Sequence, residues 1–127
     1  MTQNELLIQV EKHKIVPVVK LDHTKDAQPL CDALCAGGLP VAEITFRTDA
    51  AEESIHIASQ KYPEMLIGAG TVTNTEQAER AAAAGAKFLV SPGFSRKVTE
   101  WALDHKMPIF PGTCTPKEVM AAMEYNL

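Results

Sequence analysis

The most informative part of this sequence is Val41-Ala42-Glu43-Ile44-Thr45-Phe46-Arg47-Thr48. Its alternation predicts a β-strand, in which successive side chains point to opposite faces of a sheet. One predicted face is apolar and consists of Ala42, Ile44 and Phe46. The other is polar and consists of Glu43, Thr45 and Arg47. Parallel sheets are normally apolar on both faces, whereas the C-terminal end of a barrel lumen holds active-site groups. The polar row therefore indicates a functional face.

Four other β-rich runs accompany this strand, at residues 15–20, 66–72, 88–91 and 109–112. The five runs start roughly 21 to 26 residues apart, and stretches rich in Ala, Glu and Leu with helical spacing separate them. This regularity is typical of repeated βα units, which require a parallel sheet with helical crossovers.

The helix signals agree with this reading. An apolar stripe of Leu6, Leu7 and Val10 predicts a helix before the first strand. Five further helices are predicted to begin after residues that commonly cap helices, namely Thr24, Asp49, Thr73, Ser95 and Thr115. No linker or low-complexity segment divides the chain, so we expect one domain over residues 1–127.

The number of units leaves two architectures open. Eight units at this spacing would need about 180 to 210 residues, and typical (βα)8 barrels have about 250, whereas this chain has 127. It is therefore either a complete flavodoxin-like, doubly wound (βα)5 sheet or about five-eighths of a TIM barrel. The second is favoured, because the first would bury Glu43, Thr45 and Arg47 under a layer of helices.

Composition excludes several classes of function. The 12 Lys and Arg residues against 16 Asp and Glu residues give a net charge of −4, which argues against binding to nucleic acid or anionic membranes. Apolar runs are far too short to span a bilayer, and the first residues do not resemble a signal peptide. Cys31, Cys35 and Cys114 have no metal-ligand spacing. We expect a cytoplasmic protein without structural disulfides or a metal.

Glu43 is the leading candidate for acid–base chemistry. Burial in a lumen would raise the pKa of its carboxyl toward a useful range, and Arg47 would act in the opposite direction. The alternative is a structural ion pair between the two. In an extended strand they would lie about 13 Å apart, which disfavours direct contact.

Glycines, prolines and hydroxyl residues recur where three predicted strands end. The sequences at these ends are Gly68-Ala69-Gly70-Thr71-Val72, Ser91-Pro92-Gly93 and Pro111-Gly112-Thr113. Such residues allow a ligand or a neighbouring backbone to approach closely. They predict a shared rim lined by small and hydroxyl residues, although each could be a tight turn alone.

Taken in order, five motifs resemble the 2-dehydro-3-deoxy-phosphogluconate (KDPG) and 4-hydroxy-2-oxoglutarate aldolase family. They are Val16-Pro17-Val18-Val19, Ala42-Glu43-Ile44-Thr45-Phe46-Arg47-Thr48, Ile67-Gly68-Ala69-Gly70-Thr71-Val72, Val90-Ser91-Pro92-Gly93 and Ile109-Phe110-Pro111-Gly112. The resemblance covers nearly the whole chain. It implies a cytoplasmic TIM-barrel lyase, usually a homotrimer, that uses no metal or cofactor and belongs to carbohydrate metabolism in the Entner–Doudoroff pathway.

The resemblance also implies a class I mechanism. A lysine forms a Schiff base with a 2-oxo acid, and carbon–carbon cleavage releases pyruvate and an aldehyde. Glu43 matches the family's proton-shuttling glutamate. Arg47 matches an arginine that holds the pyruvyl carboxylate or assists the aldehyde half. Thr71 matches a substrate-contacting threonine, and Pro92 and Thr113 match rim positions.

One departure from the family pattern affects the expected activity. The family's Schiff-base lysine would follow Leu127, so we expect residues 1–127 to lack it and to be inactive alone. Lys20, near the end of the first predicted strand, is the one candidate to replace it. Two alternatives are a non-catalytic half-barrel that serves as a scaffold or association module, and another small-molecule barrel enzyme such as a phosphosugar isomerase.

Overall fold

The computed structural model describes residues 1–127, in which six α-helices surround five strands. The helices are α1 (Gln3–His13), α2 (Ala27–Ala36), α3 (Ala51–Lys61), α4 (Thr75–Ala84), α5 (Arg96–Asp104) and α6 (Pro116–Met123). The strands are β1 (Val18–Val19), β2 (Val41–Thr45), β3 (Leu66–Gly70), β4 (Phe88–Ser91) and β5 (Ile109–Pro111). None of the helices has the length and hydrophobicity needed to cross a bilayer.

All five strands are parallel and form one sheet in the order β1-β2-β3-β4-β5. The predicted alternation of strands and helices is therefore confirmed. The predicted first strand was too long, because only Val18 and Val19 pair with β2. Lys14 has left-handed backbone angles where α1 ends, and Pro17 lacks the N–H that a strand donates.

The predicted helix starts are only partly confirmed. Ser95 and Thr115 accept the expected backbone hydrogen bonds, and Thr115 forms a capping box with Glu118. Three predicted caps are wrong: Thr24 lies inside a short 3₁₀ turn, Asp49 does not cap α3, and Asn74 rather than Thr73 caps α4. The observed N-caps of these helices are Asp26, Ala50 and Asn74, which lie one or two residues after the predicted ones.

Helices α2 to α5 cover one face of the sheet, which we call the helix-covered face. Strand residues such as Ile44 and Leu89 pack there in a cluster of 20 buried side chains, with many alanines contributed by the helices. Small helix residues allow close approach to the sheet. This cluster is the main hydrophobic core.

The opposite face, which we call the Glu43 face, carries the alternate residues of each strand. At its N-terminal end, Leu6 of α1 packs on Val41, Leu66 and Phe88. Helix α1 is also tied to the edge of the sheet through Gln3, whose side-chain amide donates to the Ile109 carbonyl and accepts from the Ile109 N–H, both at 3.0 Å. The first helix thus fixes the last strand.

Candidate functional site

Glu43 lies in the middle of β2 on the Glu43 face, where β-branched and apolar neighbours favour an extended backbone. The residue is 8% exposed, and its carboxyl makes no hydrogen bond or ion pair within the protein. Burial raises the pKa of this carboxyl, and the positive charge of Arg47 partly offsets that effect. A carboxyl with a raised pKa can both give and take a proton at moderate pH.

Two glycines of β3 face Glu43 and its neighbours, and they make room for different groups. A Cβ on Gly70 would lie 1.8 Å from Oε1 of Glu43, so the carboxyl rests directly on bare backbone. A Cβ on Gly68 would lie 2.2 Å from the ring of Phe88. The groups that come close to these two glycines are therefore the Glu43 and Phe88 side chains.

Arg47 does not continue the polar row as predicted, because β2 ends at Thr45 and Arg47 lies in the following turn. Its Nε donates to Oγ1 of Thr45 at 3.0 Å. Thr45 in turn donates to the Val19 carbonyl at 2.8 Å. Glu43 takes part in none of the three ion pairs, so the alternative of a direct Glu43–Arg47 pair is not formed.

Thr71 follows β3 with a φ of 57°, in the left-handed region. This conformation is unfavourable for a β-branched residue. The side chain is half-buried, and its hydroxyl makes no hydrogen bond within the protein. Strain of this kind is most common where function requires a particular orientation.

Pro92 and Thr113 are exposed, and each lies near the exit of its strand. The two exits are joined, because the Gly112 N–H donates to the Ser91 carbonyl at 2.9 Å. A Cβ on Gly112 would lie 2.5 Å from the Pro92 carbonyl oxygen. These contacts join the ends of β4 and β5, two of the three strand ends in the predicted rim.

Lys20 pairs with the carboxylate of Asp22 at the surface and forms no ion pair with Glu43. The one charged side chain that acts on Glu43 is Arg47. No three His, Cys, Asp or Glu side chains come close enough together to hold a metal ion.

Three surface clefts are present, and Glu43 lines none of them. The largest, of about 450 Å³, is lined by Asp22, His23, Thr24, Lys25, Asp49 and Ala50. A second, of about 370 Å³, is acidic and is lined by Asp49, Glu52, Glu53, His56, Ala83 and Ala84. A smaller cavity of about 170 Å³ opens beside Arg47 and is lined by Phe46, Arg47, Thr48, Asp49, Gln77 and Arg80. We call this smaller space the rim cavity.

The sequence pattern placed Thr45 on the polar face but did not reveal that it contacts Arg47, since that contact depends on the chain turning after the strand.

Comparison with known proteins gives a consistent result. A family model described as "KDPG and KHG aldolase" matches residues 7–127. The 2-dehydro-3-deoxy-phosphogluconate aldolase of Treponema pallidum is 44% identical over 118 residues, which are 93% of this chain and 56% of the relative. The corresponding aldolase of Haemophilus influenzae is 40% identical over 99% of this chain and 59% of the relative.

A solved structure is also similar. The KDPG aldolase of Legionella pneumophila, with pyruvate captured at low pH as a covalent carbinolamine intermediate, superimposes with a TM-score of 0.85. It is 36% identical, and the match covers 88% of this chain and 54% of that one. The chain thus spans about half the length of the curated relatives it matches.

Proposed function

Because this chain belongs to the KDPG and KHG aldolase family, we propose that it supplies the acid–base side of a 2-oxo-acid aldolase site. The substrate class is 2-dehydro-3-deoxy-6-phosphogluconate or 4-hydroxy-2-oxoglutarate, and the products are pyruvate and an aldehyde. One observation carries the proposal: Glu43 is a buried carboxyl without a hydrogen-bond partner, held over the bare backbone of Gly70.

The chemistry needs such a group at two steps. When a lysine amine adds to the 2-oxo carbon, the carbinolamine must lose its hydroxyl as water, which requires a proton donor. After the carbon–carbon bond breaks, the electrons stored in the imine system return to the adjacent carbon, which must take up a proton. Glu43 donates the proton in both steps, and between them its carboxylate takes up the proton of the substrate hydroxyl that becomes the aldehyde carbonyl. The carbinolamine named for the Legionella pneumophila relative is an intermediate of this kind.

Arg47 and Thr71 complete the proposed binding groups. The Nη groups of Arg47 make no hydrogen bond within the protein, and a guanidinium suits a carboxylate such as that of pyruvate. The free Thr71 hydroxyl contacts the same ligand. Pro92 and Thr113 border the site at the rim.

We place the nucleophilic lysine outside residues 1–127. Lys20 is paired with Asp22, and Lys87 donates to the Pro63 and Met65 carbonyls. Both ammonium groups are thus engaged elsewhere, and Arg47 is the one cation that affects the pKa of Glu43. Residues 1–127 alone are therefore expected to form no imine with pyruvate.

We further propose that the five strands keep the geometry of a partial TIM barrel. The strand order follows the chain order, whereas a flavodoxin-like sheet has the order 2-1-3-4-5. In this arrangement Glu43 and Thr45 face the central cavity. A homotrimer in the cytoplasm is the assembly that we propose from the family resemblance.

Trapping with pyruvate and borohydride, followed by mass spectrometry, tests this function. We expect no adduct on this chain alone. When the C-terminal portion of a relative is added, we expect one reduced pyruvyl group on the added segment, formed about 10²-fold more slowly with Glu43→Gln. An adduct on the chain alone that disappears in Lys20→Ala would contradict the assignment of the nucleophile. An unchanged rate in Glu43→Gln would contradict the role of Glu43.

A second candidate function is a non-catalytic association module. Val18 of β1 is 62% exposed on the Glu43 face, and β1 pairs only with β2. An unpaired strand edge beside an exposed apolar side chain favours association with another chain. This candidate predicts stable complexes that give no pyruvyl adduct in the same trapping experiment.

A further inference from the structure

We propose that Thr45 is a positioning residue that holds the guanidinium of Arg47 toward the Glu43 face, where the 2-oxo acid binds. The inference rests on the proposed function for its ligand, and on the hydrogen bonds of this chain for its geometry. Neither the sequence pattern nor the relatives' names assign a role to this threonine.

Thr45 is built to accept a hydrogen bond from a cation. A hydroxyl has one proton and two lone pairs. In Thr45 the proton is donated to the Val19 carbonyl at 2.8 Å, so the oxygen that remains can only accept. Nε of Arg47 donates to this oxygen at 3.0 Å. The side chain is 1% exposed, and its β-branch restricts the rotamer, so the acceptor is fixed in place.

Arg47 needs such a partner because a competing position is available. The arginine is exposed in the turn after β2, and it also borders the rim cavity. Asp49, two residues further along, lines that cavity and makes no ion pair. Without the Thr45 hydroxyl, the Coulombic attraction of Asp49 would draw the guanidinium toward the rim cavity, away from Glu43.

The Thr45 contact also leaves the rest of the guanidinium free. Only Nε is engaged, so both Nη groups remain able to bind a carboxylate in the forked geometry that arginine favours. Thr45 thus selects the direction of Arg47 without occupying its binding groups. The ligand class is a carboxylate adjacent to a ketone, for which pyruvate is the probe.

The first test needs no substitution. In the wild-type chain, nitrogen NMR should detect an Arg47 Nε–H that exchanges with solvent at least about tenfold more slowly than that of exposed Arg96, because it is hydrogen-bonded. Equal exchange at the two arginines would overturn the proposal. Since this measurement involves no ligand, it judges the role of Thr45 even if the proposed function fails.

The second test measures pyruvate affinity by titration, followed through the amide resonances of Gly68 and Gly70. Thr45→Val keeps the shape and removes the hydroxyl, and we expect it to weaken binding about tenfold. Thr45→Ser keeps the hydroxyl and should stay within about threefold of wild type. Asp49→Asn should leave wild-type affinity unchanged, yet in the Thr45→Val background it should recover at least about threefold, because the competing charge is gone.

The outcomes separate the two proposals. If Thr45→Val binds pyruvate as wild type does, or if Asp49→Asn recovers nothing in its background, the positioning role is overturned. A purely structural role of Thr45 would not respond to Asp49. If wild type and Arg47→Met bind pyruvate equally poorly, the proposed function fails instead. Should Thr45→Val not fold, Thr45→Ser and the wild-type exchange rate still decide the question.

Discussion

The two faces of the sheet are used in opposite ways. On the helix-covered face, Ile44 and its neighbours join a cluster of 20 buried apolar side chains under four helices. On the Glu43 face, only four buried side chains cluster, and they lie at the end covered by α1. Glu43, Thr45 and two glycines lie beyond that cluster on β2 and β3. Alternate residues of one strand thus separate the source of stability from the chemical groups.

This division explains why a buried carboxyl is tolerated in so small a chain. Most of the buried apolar surface belongs to the 20-residue cluster on the helix-covered face, which does not include Glu43. The Glu43 face can therefore hold groups that destabilise the fold, such as an unpaired carboxyl and the strained Thr71.

Truncating one residue on each face gives the largest expected difference. Ile44→Ala should lower the free energy of unfolding by about 2 to 5 kcal/mol, because it leaves a cavity in the main core. Val18→Ala, on the Glu43 face and 62% exposed, should change it by less than about 0.5 kcal/mol. Urea unfolding followed by circular dichroism measures both. Similar losses for the two variants would contradict the division.

Adding a methyl group to Gly68 should have the next largest effect on the free energy of unfolding. Gly68→Ala places a methyl group 2.2 Å from the buried ring of Phe88, and we expect a loss of about 1 to 3 kcal/mol. Gly93→Ala is a matched control, because nothing lies within 4 Å of its added methyl group. The loss should shrink in a Phe88→Leu background, as measured in a double-mutant cycle. An equal loss in that background would show that the ring is not the obstacle.

Gly70→Ala should damage the site more than the fold. The added methyl group meets the end of the flexible Glu43 side chain, which can swing away, so we expect a loss of about 1 kcal/mol or less. The displaced carboxyl leaves its buried position, and its pKa should fall toward the ordinary value of 4.5. Carbon NMR of the carboxyl during a pH titration measures this. An unchanged titration would mean that Gly70 does not set the position of Glu43.

Glu43→Gln should produce the smallest change in the free energy of unfolding, and this change should depend on pH. Burial raises the pKa of Glu43 in the folded chain. Ionisation therefore destabilises the fold, and this cost is absent below the unfolded pKa and complete above the folded pKa. Relative to wild type, the variant should gain stability as pH rises from about 4 toward 7. A difference that stays constant over this range would contradict the raised pKa.

The sequence was sufficient to predict the features that depend on local periodicity. The alternation in residues 41–48 placed Ile44 and Glu43 on opposite faces, and the βα spacing predicted the parallel sheet. The family resemblance followed from motifs in order, and the family match supports it. These predictions succeed because side-chain period and unit length are properties of single segments.

Other features depend on contacts between distant residues or on small differences in backbone angles. The strand before Arg47 ends at Thr45, so the arginine folds back onto it instead of extending the polar row. Thr71 has left-handed backbone angles, which β-branched residues rarely adopt, so its residue type could not predict them. Whether Thr73 or Asn74 caps α4 is a choice between chemically similar neighbours, and local sequence does not resolve it.

The hydrogen bonds between Gln3 and Ile109 affect when α1 can dock during synthesis of the chain. The two residues are 106 positions apart, yet one amide bridges both backbone groups of Ile109. A ribosome releases Gln3 first and Ile109 late, so Leu6 can already pack on β2 to β4, but the Gln3 bridge forms only after β5 has been released. Nascent chains halted before Ile109 will therefore hold α1 by its Leu6 contacts alone, and protease cleavage within α1 will slow further once β5 has emerged.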